Sequence, residues 1–103
     1  IFIWLTSLIL VVPWLHLVNN KFVDVSPLAR LTNLNRLSLA YNQIEDVSPL
    51  AHLTNLTALF LNENEIADVS PLATLTNLVW LYLSDNPLEN RTCPVQPEAI
   101  CQF

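Results

Sequence analysis

Two cysteines have the widest chemical repertoire in this chain. Cys93 and Cys101 are separated by seven residues, so they could form a disulfide that staples the C-terminal tail and would indicate an oxidising compartment. The alternative is two reduced thiols buried in the same tail. A zinc site is not expected, because the spacing fits no zinc motif and no histidine lies near the pair.

The two histidines, His16 and His52, are not expected to form a site together. His16 falls on a predicted strand, whereas His52 falls in a variable, surface position of a predicted helix. The sequence pairs no nucleophile with a base, and a chain without glycine cannot form a glycine-rich phosphate-binding loop. We therefore predict that the chain is not an enzyme and has no cofactor, metal or small-molecule substrate.

Three aspartates, Asp24, Asp46 and Asp68, recur at intervals of 22 residues. Such a column could bind a cation. Each aspartate, however, precedes a Ser-Pro pair that is typical of a helix start, where negative charge is favourable. We therefore interpret the column as structural.

Two segments match the glycosylation pattern, Asn-Leu-Thr at 55–57 and Asn-Arg-Thr at 90–92. Asn55 occupies a position that it shares with Asn33 and Asn77, so we interpret it as a structural residue. The second match would matter only in a secreted eukaryotic protein.

These residues belong to an internal repeat of three consecutive 22-residue blocks. Thirteen of the 22 positions are identical in all three, and each block ends in the pattern Leu-x-x-Leu-x-Leu-x-x-Asn. The blocks are Phe22–Gln43, Ile44–Glu65 and Ile66–Pro87. Because one repeat cannot bury its leucines alone, the pattern predicts stacked repeats that share a core.

This pattern resembles the leucine-rich repeat consensus. The block length and the half-repeat Val-Ser-Pro-Leu-Ala-x-Leu-Thr-Asn-Leu resemble the bacterial internalin-type subclass, and the resemblance covers residues 22–88. It implies an α/β fold, a right-handed leucine-rich repeat solenoid with a parallel β-sheet on the concave face and short helices or 3₁₀ turns on the convex face.

The residues predict the same elements. Alternation of apolar and polar residues predicts strands near 14–18, 36–40, 58–62 and 80–84. The recurring asparagine should then turn the chain inward and form a ladder of amide hydrogen bonds. The serine of Ser-Pro should cap each helix. Without glycine, the turns should use Asn, Asp and Pro.

The ends of the chain depart from the repeat, so we divide it into 1–21, 22–87 and 88–103. Residues 1–21 are a degenerate repeat, or the remnant of a signal or membrane anchor, or an unrelated segment. We expect upstream repeats to be missing and residues 1–12 to form no stable helix in water. Membrane contact by residues 1–18 is not favoured.

The tail, 88–103, reads as a cap. The Pro-Glu-Ala-Ile segment at 97–100 predicts one helical turn, with Ile100 and Phe103 covering the open end of the core. The tail departs from the internalins, whose repeats lead into an immunoglobulin-like domain.

The function that we predict is binding of a protein or peptide through the concave face. Exposed aromatic side chains are costly unless a partner covers them, and they are typical anchors of interfaces. Serine at Phe60, Trp80 and Tyr82 should therefore abolish binding and barely change the melting temperature. The partner-binding residues that we predict are Trp14, His16, Arg36, Ser38, Phe60, Asn62, Glu63, Trp80, Tyr82 and Asp85.

Charge narrows the class of partner. Nine Asp plus Glu against four Lys plus Arg give a net charge of −5, which argues against nucleic acid. Glu63 and Asp85 lie near the aromatic residues, so the partner should present Lys or Arg around an apolar centre.

Two alternatives stay open. The aromatic residues could only shield the sheet or be covered by a second copy, and the chain could be the purely structural C-terminal end of a longer array whose binding site lies upstream. A cytoplasmic location is preferred, and an oxidised Cys93–Cys101 pair would indicate a secreted or cell-surface protein instead.

Overall fold

The computed structural model describes residues 13–103, and within them the chain forms one parallel sheet. The order of the strands in the sheet is their order in the chain. The strands are β1 (Trp14–His16), β2 (Arg36–Ser38), β3 (Ala58–Phe60), β4 (Trp80–Tyr82) and β5 (Cys101–Gln102). The chain therefore winds as a solenoid that adds one strand with each turn.

The register of the sheet follows the 22-residue period of the sequence. Leu15 pairs with Leu37, Leu37 with Leu59, and Leu59 with Leu81. Each of these leucines is buried, so the neighbours on either side of each one point to the opposite face of the sheet. The predicted leucine-rich repeat solenoid is confirmed.

The first four strands begin where the sequence predicts them, but each is shorter than predicted. Backbone hydrogen bonds to the next repeat continue beyond the strand, as in the bond from the Leu39 N–H to the Phe60 carbonyl, at 2.8 Å. Two residues later the chain turns into a left-handed conformation, as at Tyr41. The extended backbone therefore ends before the position that the alternation pattern suggests.

The core is built from columns of aliphatic side chains, one member from each repeat. The strands supply an inner column, and the convex side supplies Leu28, Leu50 and Leu72, each no more than 1% exposed. Complete burial of one such side chain contributes about 1.5–3 kcal/mol. The columns run without a break from Leu15 to Cys101, so the described turns of the solenoid share one core.

The convex side carries one short 3₁₀ helix in each repeat. Proline is the second residue of each helix, where its missing N–H leaves no hydrogen bond unmade. The helices are η1 (Ser26–Arg30), η2 (Ser48–His52) and η3 (Ser70–Thr74). The 3₁₀ form agrees with the prediction.

The predicted cap of these helices is wrong in one respect. The helices begin at the serine, and no serine side chain caps them. Instead the aspartate two residues earlier accepts the serine backbone N–H at 2.9 Å in all three repeats. A carboxylate is a stronger acceptor than a hydroxyl because it carries a full charge, so aspartate takes the capping role.

These hydrogen bonds lower the pKa of Asp24, Asp46 and Asp68 from the usual 3.8. Because folding lowers these pKa values, the ionised carboxylates stabilise the fold. That stabilisation is complete above pH 3.8 and is lost as the pH falls through the lowered pKa. The structural interpretation of the aspartate column is thereby supported.

A ladder of asparagine side chains closes the turn after each strand, as predicted. The amide nitrogen of Asn64 donates to the carbonyls of Leu39 and Leu61, each at 3.0 Å, and its oxygen accepts the Ile44 N–H at 3.1 Å. Asn42 and Asn86 make the corresponding bonds in their own repeats. Each asparagine thus ties the backbone of its own repeat to that of the preceding one.

A second asparagine ladder lies between the convex helices and the strands. The amide of Asn55 donates to the Thr32 carbonyl at 2.7 Å, and that of Asn77 donates to the Thr54 carbonyl at 2.9 Å. This arrangement supports the structural interpretation of Asn55.

The residue before each ladder asparagine has a left-handed backbone although it is not glycine. Asn19 and Asp85 fit the expected residue types, but Tyr41 and Glu63 do not. Lys21, which follows Asn20, also has a left-handed backbone. The conformation costs about 1–2 kcal/mol for a residue with a Cβ. Hydrogen bonds to the next repeat offset that cost, such as the bond from the Glu63 N–H to the Ser84 carbonyl, at 3.0 Å.

The tail adds an element that the sequence did not predict. The expected helical turn is η4 (Glu98–Ile100), and Ile100 and Phe103 pack against the core. The chain then continues into β5, where Cys101 pairs with Leu81. A disulfide joins Cys93 to Cys101, and their Cα atoms are 5.7 Å apart.

The predictions for residues 1–12 lie outside the described residues. Among residues 13–103, no helix has the length and apolar character needed to span a membrane.

We expect replacement of Asn64 by alanine to lower the free energy of unfolding by about 2–4 kcal/mol. The change leaves a backbone N–H and two carbonyls in the core without their partner, and buried groups that lose a partner bear the cost of desolvation. Urea unfolding followed by circular dichroism measures the difference. Asn62→Ala is the matched control, since Asn62 takes part in the ladder only through its backbone carbonyl. An equal loss in both variants would contradict the ladder's role.

Reduction of the disulfide should lower the free energy of unfolding by about 2.5 kcal/mol, the loop-closure entropy for a separation of eight residues. Unfolding with and without dithiothreitol measures the effect. A Cys93→Ser/Cys101→Ser variant should not respond to the reductant. If the wild-type protein does not respond either, the pair does not stabilise the tail.

Candidate functional site

The concave face, meaning the outward side chains of the sheet and of the turns that follow the strands, holds the predicted binding residues in rows. The first row runs across β1 to β4, and the second continues onto β5. The first contains Trp14, Arg36, Ala58 and Trp80, and the second contains His16, Ser38, Phe60, Tyr82 and Gln102. Parallel register thus brings together residues that are distant in sequence.

An aromatic stack, Phe60, Tyr82 and Trp80, occupies the C-terminal half of this face. The rings of Phe60 and Tyr82 are 5.1 Å apart and nearly parallel, and Trp80 lies 5.9 Å from Tyr82. Tyr82 is therefore the central ring. Trp80 is 48% exposed, while the other two rings are half-buried.

The stacking changes one expectation from the sequence. Contacts between aromatic rings contribute about 0.5–1.5 kcal/mol for each pair beyond the burial of area. Phe60 and Tyr82 therefore stabilise the fold as well as presenting a surface, and replacing all three rings should cost some stability. Trp80 is the ring on which the fold depends least.

A second cluster lies at the N-terminal end of the same face. The guanidinium of Arg36 lies over the ring of Trp14, with 5.9 Å from its carbon to the ring centroid. Such cation–π contacts are worth about 0.5–1 kcal/mol at exposed sites. Trp14 nevertheless stays 57% exposed, so most of this ring faces solvent.

Ser38 is the one predicted binding residue that the structure buries. It is only 7% exposed, and Ala58, in the first row on the next strand, is 4% exposed. Both side chains are short and lie between larger neighbours on the adjacent strands. Ser38 therefore offers a partner little surface, and its role in binding stays a prediction. The two small residues separate the aromatic stack from the Trp14–Arg36 pair.

The remaining predicted residues lie at the end of the strands. Asn62 is half-buried, and His16 and Asp85 are exposed. Glu63 and Asp85 take equivalent positions in adjacent turns. Partial burial raises the pKa of Glu63 above its usual 4.5, and the neighbouring carboxylate of Asp85 raises it further.

His16 and His52 lie on different sides of the solenoid, on β1 and on η2 respectively. Among residues 13–103, no group of three or more histidine, cysteine or acidic side chains is placed to hold a metal ion.

Two family models match the chain, and both describe leucine-rich repeats. One, for two copies of the repeat, matches residues 14–52, and the other, for the single repeat, matches residues 77–103. The chain belongs to the leucine-rich repeat family. Leucine-rich repeat proteins generally bind other proteins, and their curved arrays form extended concave binding surfaces.

Similar solved structures come from bacteria. Internalin C2 of Listeria monocytogenes is 41% identical over 73% of this chain, with a TM-score of 0.68. The internalin inlF of the same organism is 42% identical over 75%, with a TM-score of 0.72. A leucine-rich repeat protein of Leptospira interrogans is 31% identical over 84%, with a TM-score of 0.70. The chain is therefore internalin-like and of the bacterial type.

The chain spans only part of these relatives. It covers 35% of internalin C2, 23% of inlF and 22% of the Leptospira protein. No curated protein matches it.

We expect Glu63→Gln to stabilise the protein at neutral pH. Because folding raises the pKa of this carboxyl, the charged form opposes folding above that pKa, and the opposition disappears as the pH falls through it. The variant's advantage in melting temperature should therefore shrink between pH 7 and pH 4. Glu65→Gln removes the same charge from an exposed position nearby and is the control; an equal gain there would show a general charge effect instead.

Proposed function

We propose that the chain binds a protein or peptide through its concave face, with the aromatic stack as the anchor. One observation carries the proposal: Trp14 and Trp80 are about half exposed on a face where the repeat requires no aromatic residue. Ala58 occupies the same row between them, so a small residue serves the fold there equally well. Large exposed rings are then explained by a partner that covers them.

The exposed rings supply part of the free energy that a specific complex needs. Burial of one aromatic side chain contributes about 1.5–3 kcal/mol, whereas a micromolar complex requires a net free energy of about 8 kcal/mol after the costs of association. The aromatic stack and the Trp14–Arg36 pair therefore act as anchors, and the remaining contacts of the interface must supply the rest. Tryptophan, tyrosine and arginine are also the residue types in which interface energy is concentrated.

We also propose that the chain neither catalyses a reaction nor binds nucleic acid. The acidic net charge of −5 with only four basic residues supports the second point. The first is supported by the family, whose members are typically binding modules.

A second candidate is favoured by the coverage of the relatives. The chain corresponds to 35% or less of their length, so it could be the structural end of an array whose binding site lies upstream. In that case no ligand would depend on the aromatic stack.

A display library of random peptides, selected on the purified chain, tests the proposal. Peptides recovered on the wild-type protein should bind Trp80→Ser about tenfold to a hundredfold more weakly, the equivalent of losing the burial of one aromatic side chain. The triple change of Phe60, Trp80 and Tyr82 to serine should abolish binding. Calorimetric titration measures the affinities.

Stability must be measured in parallel. Trp80→Ser should keep the melting temperature close to the wild-type value, and the triple variant should lose about 1–3 kcal/mol through the lost stacking. Val23→Ser is the control, because Val23 is 54% exposed but precedes η1 on the way to the convex side. Equal loss of binding in this control, or peptides indifferent to Trp80→Ser, would favour the second candidate.

A further inference from the structure

Resting on the proposed function, we infer that the partner is a basic polypeptide whose lysine and arginine side chains lie along one edge of the concave face only. That edge is the one at which the parallel strands end. The sequence suggested cations around an apolar centre without assigning them to an edge. The structure instead separates the charges of the solenoid between its two edges.

The acidic edge, defined as the turns that lead from the ends of the strands to the convex helices, carries eight of the nine acidic residues of the chain. Glu63 and Asp85 lie at its concave side, whereas the three capping aspartates lie at its convex side. Because the strands are parallel and in register, all these turns lie at the same edge of the sheet. Seven of the eight carboxylates are exposed, and Glu63 is half-buried. The eight are Asp24, Glu45, Asp46, Glu63, Glu65, Asp68, Asp85 and Glu89.

The opposite edge carries no charge in the three full repeats. It consists of the segments between each convex helix and the next strand, residues 31–35, 53–57 and 75–79. Their exposed side chains are threonine and asparagine, with Val79 exposed beside Trp80. A partner on the concave face therefore meets a strong negative potential on one side and a neutral surface on the other.

Few cations of the chain itself compensate the acidic edge. Lys21 is the only basic residue in the turns that follow β1 to β3, and Arg91 lies further along the tail. Arg30 is on the convex helix η1, and Arg36 is over Trp14. Within residues 13–103, no salt bridge is found between an acidic residue of this edge and a lysine or arginine.

The acidic edge and the aromatic stack are adjacent. Glu63 and Asp85 each follow a ring of the stack by three residues, Phe60 and Tyr82 respectively. A partner that covers the stack thus places its flanking side chains within reach of both carboxylates. The electrostatic attraction decays over about 8–10 Å at physiological salt, so these two carboxylates should contribute more than the distant ones.

The N-terminal end of the face shows how a cation can be held there. Arg36 already lies over the indole of Trp14, and Trp80 occupies the same row two strands away from Arg36. Within the described residues, no cation lies over Trp80. A lysine or arginine of the partner can therefore contact the Trp80 ring on one side and the acidic edge on the other.

The peptides selected on the wild-type chain provide the test. Compared with the unselected library, they should be enriched in lysine and arginine and depleted in aspartate and glutamate. Synthetic copies of them should bind Glu63→Gln/Asp85→Asn roughly fivefold to tenfold more weakly than wild type, and the difference should shrink at high salt. Glu98→Gln is the matched control, because Glu98 is the one acidic residue away from this edge; it should change the affinity less than about twofold.

The restriction to one edge is tested by moving a charge. Val79→Glu in the Glu63→Gln background restores the net charge but places the carboxylate at the opposite edge, and it should not restore affinity. Recovery of affinity in this double variant would overturn the one-edge arrangement.

The selected peptides separate this inference from the proposed function. Peptides that depend on Trp80 without being basic would overturn this inference and leave the proposed function standing. A library that yields no peptide dependent on the aromatic stack would overturn both.

Discussion

The structure depends on one constraint: the backbone must turn sharply at the end of every strand, and the polar groups freed by that turn cannot stay unpaired in the core. The ladder asparagines meet this constraint, since one amide donates to two repeats and accepts from a third segment. The leucine columns can stack only if these hydrogen bonds are made. The left-handed residue before each asparagine depends on the same hydrogen bonds. Among residues 13–103, no buried polar side-chain atom is left without a hydrogen bond.

The same constraint separates the residues that maintain the fold from those available for function. Leucine, asparagine and the capping aspartate recur because each repeat poses the same packing and hydrogen-bonding problem. The outward positions of the strands face no such problem, and they vary from alanine to tryptophan within a single row. Variation between repeats is therefore concentrated on the concave face and its edges, where recognition of a partner requires differences.

Much of the fold could be predicted from the sequence, because a 22-residue period with alternating leucines has one compact solution. The strand starts, the asparagine ladder and the convex turns all follow from that period. The β5 strand could not be predicted, because the tail departs from the repeat and pairs through Cys101 only after the solenoid brings it to β4. The capping role of aspartate was missed because hydroxyl and carboxylate caps have similar sequence patterns.

The sequence by itself determined the class of fold and the face that varies, since periodicity is a property of the chain alone. Only the tertiary structure decided which variable residues meet. It buried Ser38, stacked Phe60 on Tyr82, placed Arg36 over Trp14 and collected the acidic residues on one edge. The reason is physical: contacts across parallel strands join residues 22 positions apart, and their outcome depends on the size and orientation of neighbours that no local pattern specifies.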